Sequence, residues 1–107
     1  MRYLSARELH AWLADSARPQ PVLLDVREPW EFEICHIPES VLIPMNTIPD
    51  NLSSLDKSLP IVCICHHGVR SQQVGHFLER QGFDGVINLD GGIHAWACEV
   101  DSAMPTY

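Results

Sequence analysis

Basic side chains are scarce in this sequence. Lys and Arg number 7 against 14 Asp and Glu, a formal net charge of −7 over 107 residues. Such a field repels phosphate backbones and anionic headgroups, which argues against nucleic acid or a membrane surface as a partner. An anionic small substrate would need a local positive pocket. No apolar run approaches the roughly 20 residues that a membrane-crossing helix requires. The segment Met1 to Glu8 carries charges where a signal peptide needs a continuous apolar stretch, so a soluble, cytoplasmic protein is expected. Metal-ligand spacing is also missing. His10, His36, His76 and His94 are scattered, and the adjacent Cys63, Cys65, His66 and His67 cannot easily surround one ion tetrahedrally. Neither a metal nor a cofactor is expected. Internal repeats, linkers and low-complexity segments are absent.

What is present suits one compact domain, residues 1–107. Hydrophobic residues make up 46% of the chain, enough for a core without disulfide staples. The four cysteines, Cys35, Cys63, Cys65 and Cys98, therefore read as thiols in a reducing compartment. Ser5 and Glu8 form a capping-box pattern ahead of Leu9, Trp12 and Leu13, which predicts a helix over 5–14 after a short strand at Tyr3-Leu4. The runs 22–26, 41–43, 61–65 and 86–89 are short, apolar and without alternation, as in strands buried on both faces. Helical segments are predicted near 29–33, 49–55, from Ser71 to Gly82, and after Gly91-Gly92. The tail 101–107 has no periodicity and is expected to pack loosely. Alternating apolar strands and helices predict an α/β domain with a mainly parallel sheet and helices on both faces. In such sheets, ligands bind where strand C-terminal ends feed helix N-termini.

The richest such junction is Cys65-His66-His67-Gly68-Val69-Arg70-Ser71. A thiol at a strand end facing a helix N-terminus sits in a field that favours thiolate, the nucleophilic form. A tight loop turns backbone N–H groups inward and makes a nest for an anionic sulfur or oxyanion. Gly68 admits backbone conformations closed to other residues. Arg70 offers a cationic fork suited to an oxyanion. His66 and His67 either add donors or face solvent. A lone cysteine at a strand end is usually a small buried apolar residue; Cys, Gly, Arg and Ser together make that reading a minority one.

The loop resembles the active-site loop of the rhodanese family. The resemblance extends to Leu24-Asp25-Val26-Arg27-Glu28-Pro29-Trp30-Glu31-Phe32, His36-Ile37-Pro38, Pro44-Met45-Asn46 and Asn88-Leu89-Asp90-Gly91-Gly92-Ile93-His94-Ala95-Trp96, in order along nearly the whole chain. It implies a rhodanese-like fold and a sulfurtransferase. Cys65 would accept sulfane sulfur from a donor such as thiosulfate or a persulfide. A thiol or cyanide, or a sulfur-trafficking protein, would then receive it. The loop residues His66 to Ser71 would bind substrate, with Arg70 seating the donor's anionic end. A non-catalytic binding or persulfide-carrier module is the alternative. Cysteine-dependent phosphatases and arsenate reductases on a related fold are less favoured, because phosphatases place one more residue between Cys and Arg than the four found here. Cys35 and Glu39 stand where the family commonly has glycine, which bears on the turn geometry around His36-Ile37-Pro38.

Asp25 and Arg27 follow a strand near the same sheet edge. They either support the loop or belong to an ion-pair cluster with Glu28 or Glu31. Cys63 reads as a core residue, Cys98 as a helix-face residue, and Trp12, Trp30 and Trp96 as core or packing residues.

Overall fold

The computed structural model describes residues 1–107. Its elements are β1 (Arg2–Leu4), α1 (Ala6–Ala14), β2 (Val22–Asp25), α2 (Pro29–Ile34), β3 (Val41–Leu42), a 3-10 segment (Met45–Ser54), β4 (Ile61–Ile64), α3 (Val69–Arg80), β5 (Val86–Leu89) and α4 (Gly92–Glu99). The five strands form one parallel sheet in the order β1-β5-β4-β2-β3. This is the α/β architecture that the apolar runs predict.

The absence of alternation in β4 has a direct cause. Val62 and Ile64 pack against α1 and α4, while Ile61, Cys63 and Cys65 pack against α3 and the 3-10 segment. Every residue of β4 is buried, and so is every residue of β5. Helices therefore cover both faces of the sheet, with β4 at its centre. The capping box at Ser5 is realised: Glu8 N–H donates to Ser5 Oγ at 3.1 Å, and Ser5 N–H donates to Glu8 Oε1 at 2.9 Å. No helix is long and apolar enough to cross a membrane.

Three local expectations need correction. The segment expected as a helix over 49–55 starts at Met45 and winds as a 3-10 helix, because Pro49 within it has no N–H and would clash with the preceding turn of an α-helix. Helix α3 begins at Val69 and not at Ser71, so Val69 and Arg70 project from its first turn. Trp12 and Trp96 are core residues, but Trp30 is 58% exposed and lies edge-on to Tyr107. The tail lacks regular structure, yet its last side chain is anchored: Tyr107 packs against the core face formed by α1 and α4.

Register places the site. Asp25 of β2 pairs with Ile64 of β4, and Asn88 of β5 pairs with Cys63. The C-terminal ends of three central strands therefore meet around Cys65.

Candidate active site

Cys65 follows the last residue of β4 and is 1% exposed. Its sulfur accepts the Gly68 N–H at 3.0 Å. Ser71 Oγ lies 3.3 Å from the sulfur and donates its proton to Asn88 Oδ1 at 2.5 Å. The sulfur thus faces the N-terminus of a 12-residue helix, where the backbone presents positive partial charge.

The Gly68 amide turns to the sulfur while the carbonyls of Cys65, His66 and Gly68 are held elsewhere. Cys65 O accepts Ile93 N–H at 2.8 Å and His66 O accepts His94 N–H at 3.1 Å, both from the first turn of α4. Gly68 O accepts Asn88 Nδ2 at 3.2 Å and Gln72 N–H at 3.3 Å. Two glycines make this closure feasible. Gly68 has φ of 107°, in the left-handed region, where a side chain is strained. At Gly92 an added Cβ would run into the carbonyl groups of Cys65 and His66.

Arg70 is not a free cation. Its Nη1 donates to Glu31 Oε1 at 2.6 Å and its Nη2 to Glu31 Oε2 at 2.8 Å, a two-point pair with both terminal nitrogens engaged. The fork expected to seat a donor's anionic end thus holds a carboxylate of the same chain. Hydrogen bonding to Arg70 lowers the Glu31 pKa to about 2, against the opposing effect of burial. The same pairing raises Arg70. Glu31 also accepts the Tyr107 hydroxyl at 2.6 Å on Oε2 and the Glu28 N–H at 3.0 Å on Oε1. Burial, followed by the hydrogen bond to Glu31, pushes the Tyr107 phenol up to about 12.

Asp25 and Arg27 form a separate buried pair, with Arg27 Nη2 donating to Asp25 Oδ2 at 2.7 Å. Arg27 also donates to the carbonyls of Glu31 and Cys35 and to the Tyr107 hydroxyl. Arg27 is fully buried. The pair ties β2 to α2, and its acid is Asp25 rather than the carboxylate of Glu28 or Glu31.

His66 stacks on Tyr107 with ring centroids 4.0 Å apart and lies 4.0 Å from His67. His94 joins them, 5.1 Å from His67, so it is not scattered as the sequence suggested. Burial lowers the His66 pKa, and the neighbouring His67 lowers it further. Val69 projects into solvent, 67% exposed. Cys63 is fully buried, and its thiol is pushed up to about 12 by burial and by the charge of Cys65. All four cysteines are free thiols. No group of three or more His, Cys, Asp or Glu side chains is arranged to hold a metal ion.

Sequence reasoning did not single out Asn88, Glu31 as the partner of Arg70, or Tyr107. Asn88 had a signal, as a polar residue inside an otherwise apolar strand. Tyr107 had none.

The chain's relatives share this arrangement's setting. A solved rhodanese-like domain protein from Staphylococcus aureus superposes with a TM-score of 0.86 at 37% identity, covering 100% of this chain and 99% of that one. A thiosulfate sulfurtransferase GlpE of Pseudomonas syringae is 43% identical over 70% of this chain and 71% of its own. An adenylyltransferase and sulfurtransferase MOCS3-1 of Drosophila pseudoobscura is 41% identical over 97% of this chain but only 24% of its own length. The chain thus spans about a quarter to a third of the longer curated relatives that it matches almost end to end. The rhodanese-like domain model matches residues 5–99, which takes in both the Glu31–Arg70 pair and the Cys65 loop, and the chain belongs to the rhodanese-like domain family.

Proposed function

We propose that this chain transfers sulfane sulfur through a persulfide on Cys65. The observation that carries the reading is the Cys65 sulfur itself, facing the α3 N-terminus with the Gly68 amide at 3.0 Å and the Ser71 hydroxyl at 3.3 Å. The Cys65 thiolate attacks the outer sulfur of a donor. With thiosulfate, the S–S bond breaks, its electron pair leaves with sulfite, and the outer sulfur remains on Cys65. A thiolate or cyanide then attacks that terminal sulfur, and the Cys65 thiolate departs as the leaving group. The loop donors stabilise negative charge on sulfur at both stages.

Near-complete burial of Cys65 favours a slender terminal sulfur over a bulky group. The four residues between Cys65 and Arg70 make a cradle that suits sulfur better than a tetrahedral phosphate. The relatives named as sulfurtransferases support a sulfur-trafficking protein as donor or acceptor. The free thiols fit a reducing, cytoplasmic setting.

Mass spectrometry tests the reading. Thiosulfate, polysulfide or a protein persulfide should add one sulfur atom to the peptide containing Cys65, and Cys65→Ser should abolish both that gain and thiocyanate formation from cyanide. If all three donors leave Cys65 unmodified, the reading fails.

A further inference from the structure

The charges around Cys65 cancel in pairs. Asp25 and Arg27 neutralise one another in the interior. Glu31 takes both terminal nitrogens of Arg70, the cation on the Cys65 loop. The buried environment of His66 opposes its protonation. The chain as a whole carries −7. An anionic donor approaching Cys65 therefore meets no uncompensated positive side chain among these groups.

The pairing is held from several sides. The Glu31 side chain is 4% exposed while that of Arg70 is 34% exposed, so a buried carboxylate holds the more exposed arginine. Four donors converge on that carboxylate: two from Arg70, the Tyr107 hydroxyl and the Glu28 amide. Tyr107 is itself fixed by stacking on His66 and by the hydrogen bond from Arg27.

We propose that Glu31, clamped by Tyr107, is the donor-specificity residue of this site: it occupies the fork that a sulfonate would need and so steers the enzyme toward persulfide donors and away from thiosulfate. The inference rests on the persulfide reading above. Thiosulfate carries a permanent anionic sulfonate on its leaving group. A persulfide R–S–SH carries no such group. Its terminal sulfur passes to Cys65 with its hydrogen as the S–S bond breaks, and the electron pair leaves with RS⁻. Nothing in that exchange calls on a free guanidinium. Glu31 and Tyr107 are thus positioning residues acting through Arg70.

The test compares thiosulfate with the persulfide of 2-mercaptoethanol as donors to wild type, Glu31→Gln and Tyr107→Phe. Glutamine keeps the shape and the acceptor oxygen but removes the charge that neutralises Arg70. Glu31→Gln should lower the KM for thiosulfate by about fivefold to tenfold relative to the KM for the persulfide. That advantage should shrink as sodium chloride is raised, because it comes from an exposed charge. Tyr107→Phe removes one clamp and keeps the ring on His66, and should shift the donor ratio the same way by a smaller factor. An unchanged ratio in both variants, or an equal change with both donors, would overturn the specificity role. If Glu31→Gln does not fold, the ratio in Tyr107→Phe decides. Failure of wild type to form a Cys65 persulfide from either donor would instead refute the underlying transfer reading, so the two failures are distinguishable.

Discussion

The Ser71 hydroxyl donates to Asn88 Oδ1 at 2.5 Å, joining the first turn of α3 to β5 while its oxygen stays 3.3 Å from the Cys65 sulfur. A serine hydroxyl has one proton, and the short bond to Asn88 takes it. The oxygen is then free to accept a hydrogen bond from a Cys65 thiol. If the proton swings away from Asn88, it can be donated to the thiolate.

Ser71→Ala removes this hydroxyl and leaves the buried Asn88 oxygen without its donor. A loss of about 1–3 kcal/mol in stability is expected by urea denaturation. Sulfur transfer by the remaining folded protein should fall by about tenfold in kcat/KM, the effect of one lost hydrogen bond to a charged sulfur.

Asp25→Ala leaves the guanidinium of Arg27 buried without its counter-charge. Breaking a buried pair in this way costs about 3–5 kcal/mol. Denaturant unfolding should show that loss, whereas an exposed control pair such as Arg7 and Glu99 should show almost none when broken. A tolerated Asp25→Ala would mean that the Glu31 and Cys35 carbonyls with the Tyr107 hydroxyl suffice for Arg27.

Acid should weaken the fold partly through Glu31. Its pKa is lowered from an ordinary 4.5 to about 2, chiefly by the hydrogen bonds of Arg70. Because the folded value is the lower one, the carboxylate's contribution is fully present above about 4.5 and is lost as pH falls toward about 2. The facing groups are Arg70, the Tyr107 hydroxyl and the Glu28 amide. Stability measured across that window should fall less steeply in Glu31→Gln than in wild type.

Glu39 has φ of 69°, the left-handed region, and it is the only non-glycine residue there. It stands at one of the two positions flanking His36-Ile37-Pro38, and the chain adopts there the conformation that glycine prefers. Its side chain is exposed. Glu39→Gly should raise stability by up to about 1 kcal/mol, the relieved strain less glycine's greater unfolded-state entropy. Thermal unfolding checks the sign. The other position, Cys35, has φ of −165° and is ordinary extended backbone, so no such gain is expected from Cys35→Gly.

Much of this was readable along the chain, since each signal was local. Three of the four apolar runs became buried strands, while 41–43 became the edge strand β3 with Val41 exposed, and Ser5 with Glu8 made the cap that its spacing demanded. Gly68 took the left-handed conformation and its amide turned to the sulfur. Local spacing failed where a neighbour lay far off in sequence. Trp30, expected in the core or in packing, stands at the surface and packs edge-on against the tail residue Tyr107. His94 looked isolated until α4 carried it back to His66 and His67.

Local sequence placed the proposed nucleophile: a thiol at a central strand's end, followed by glycine and a helix start, is set by backbone geometry over a few residues. Tertiary structure decided the charge that surrounds it. Arg70 meets Glu31 across 39 positions and Tyr107 meets Glu31 across 76. Those meetings depend on where α2 and the tail lie against the sheet end, and charge pairing acts through space and not along the chain.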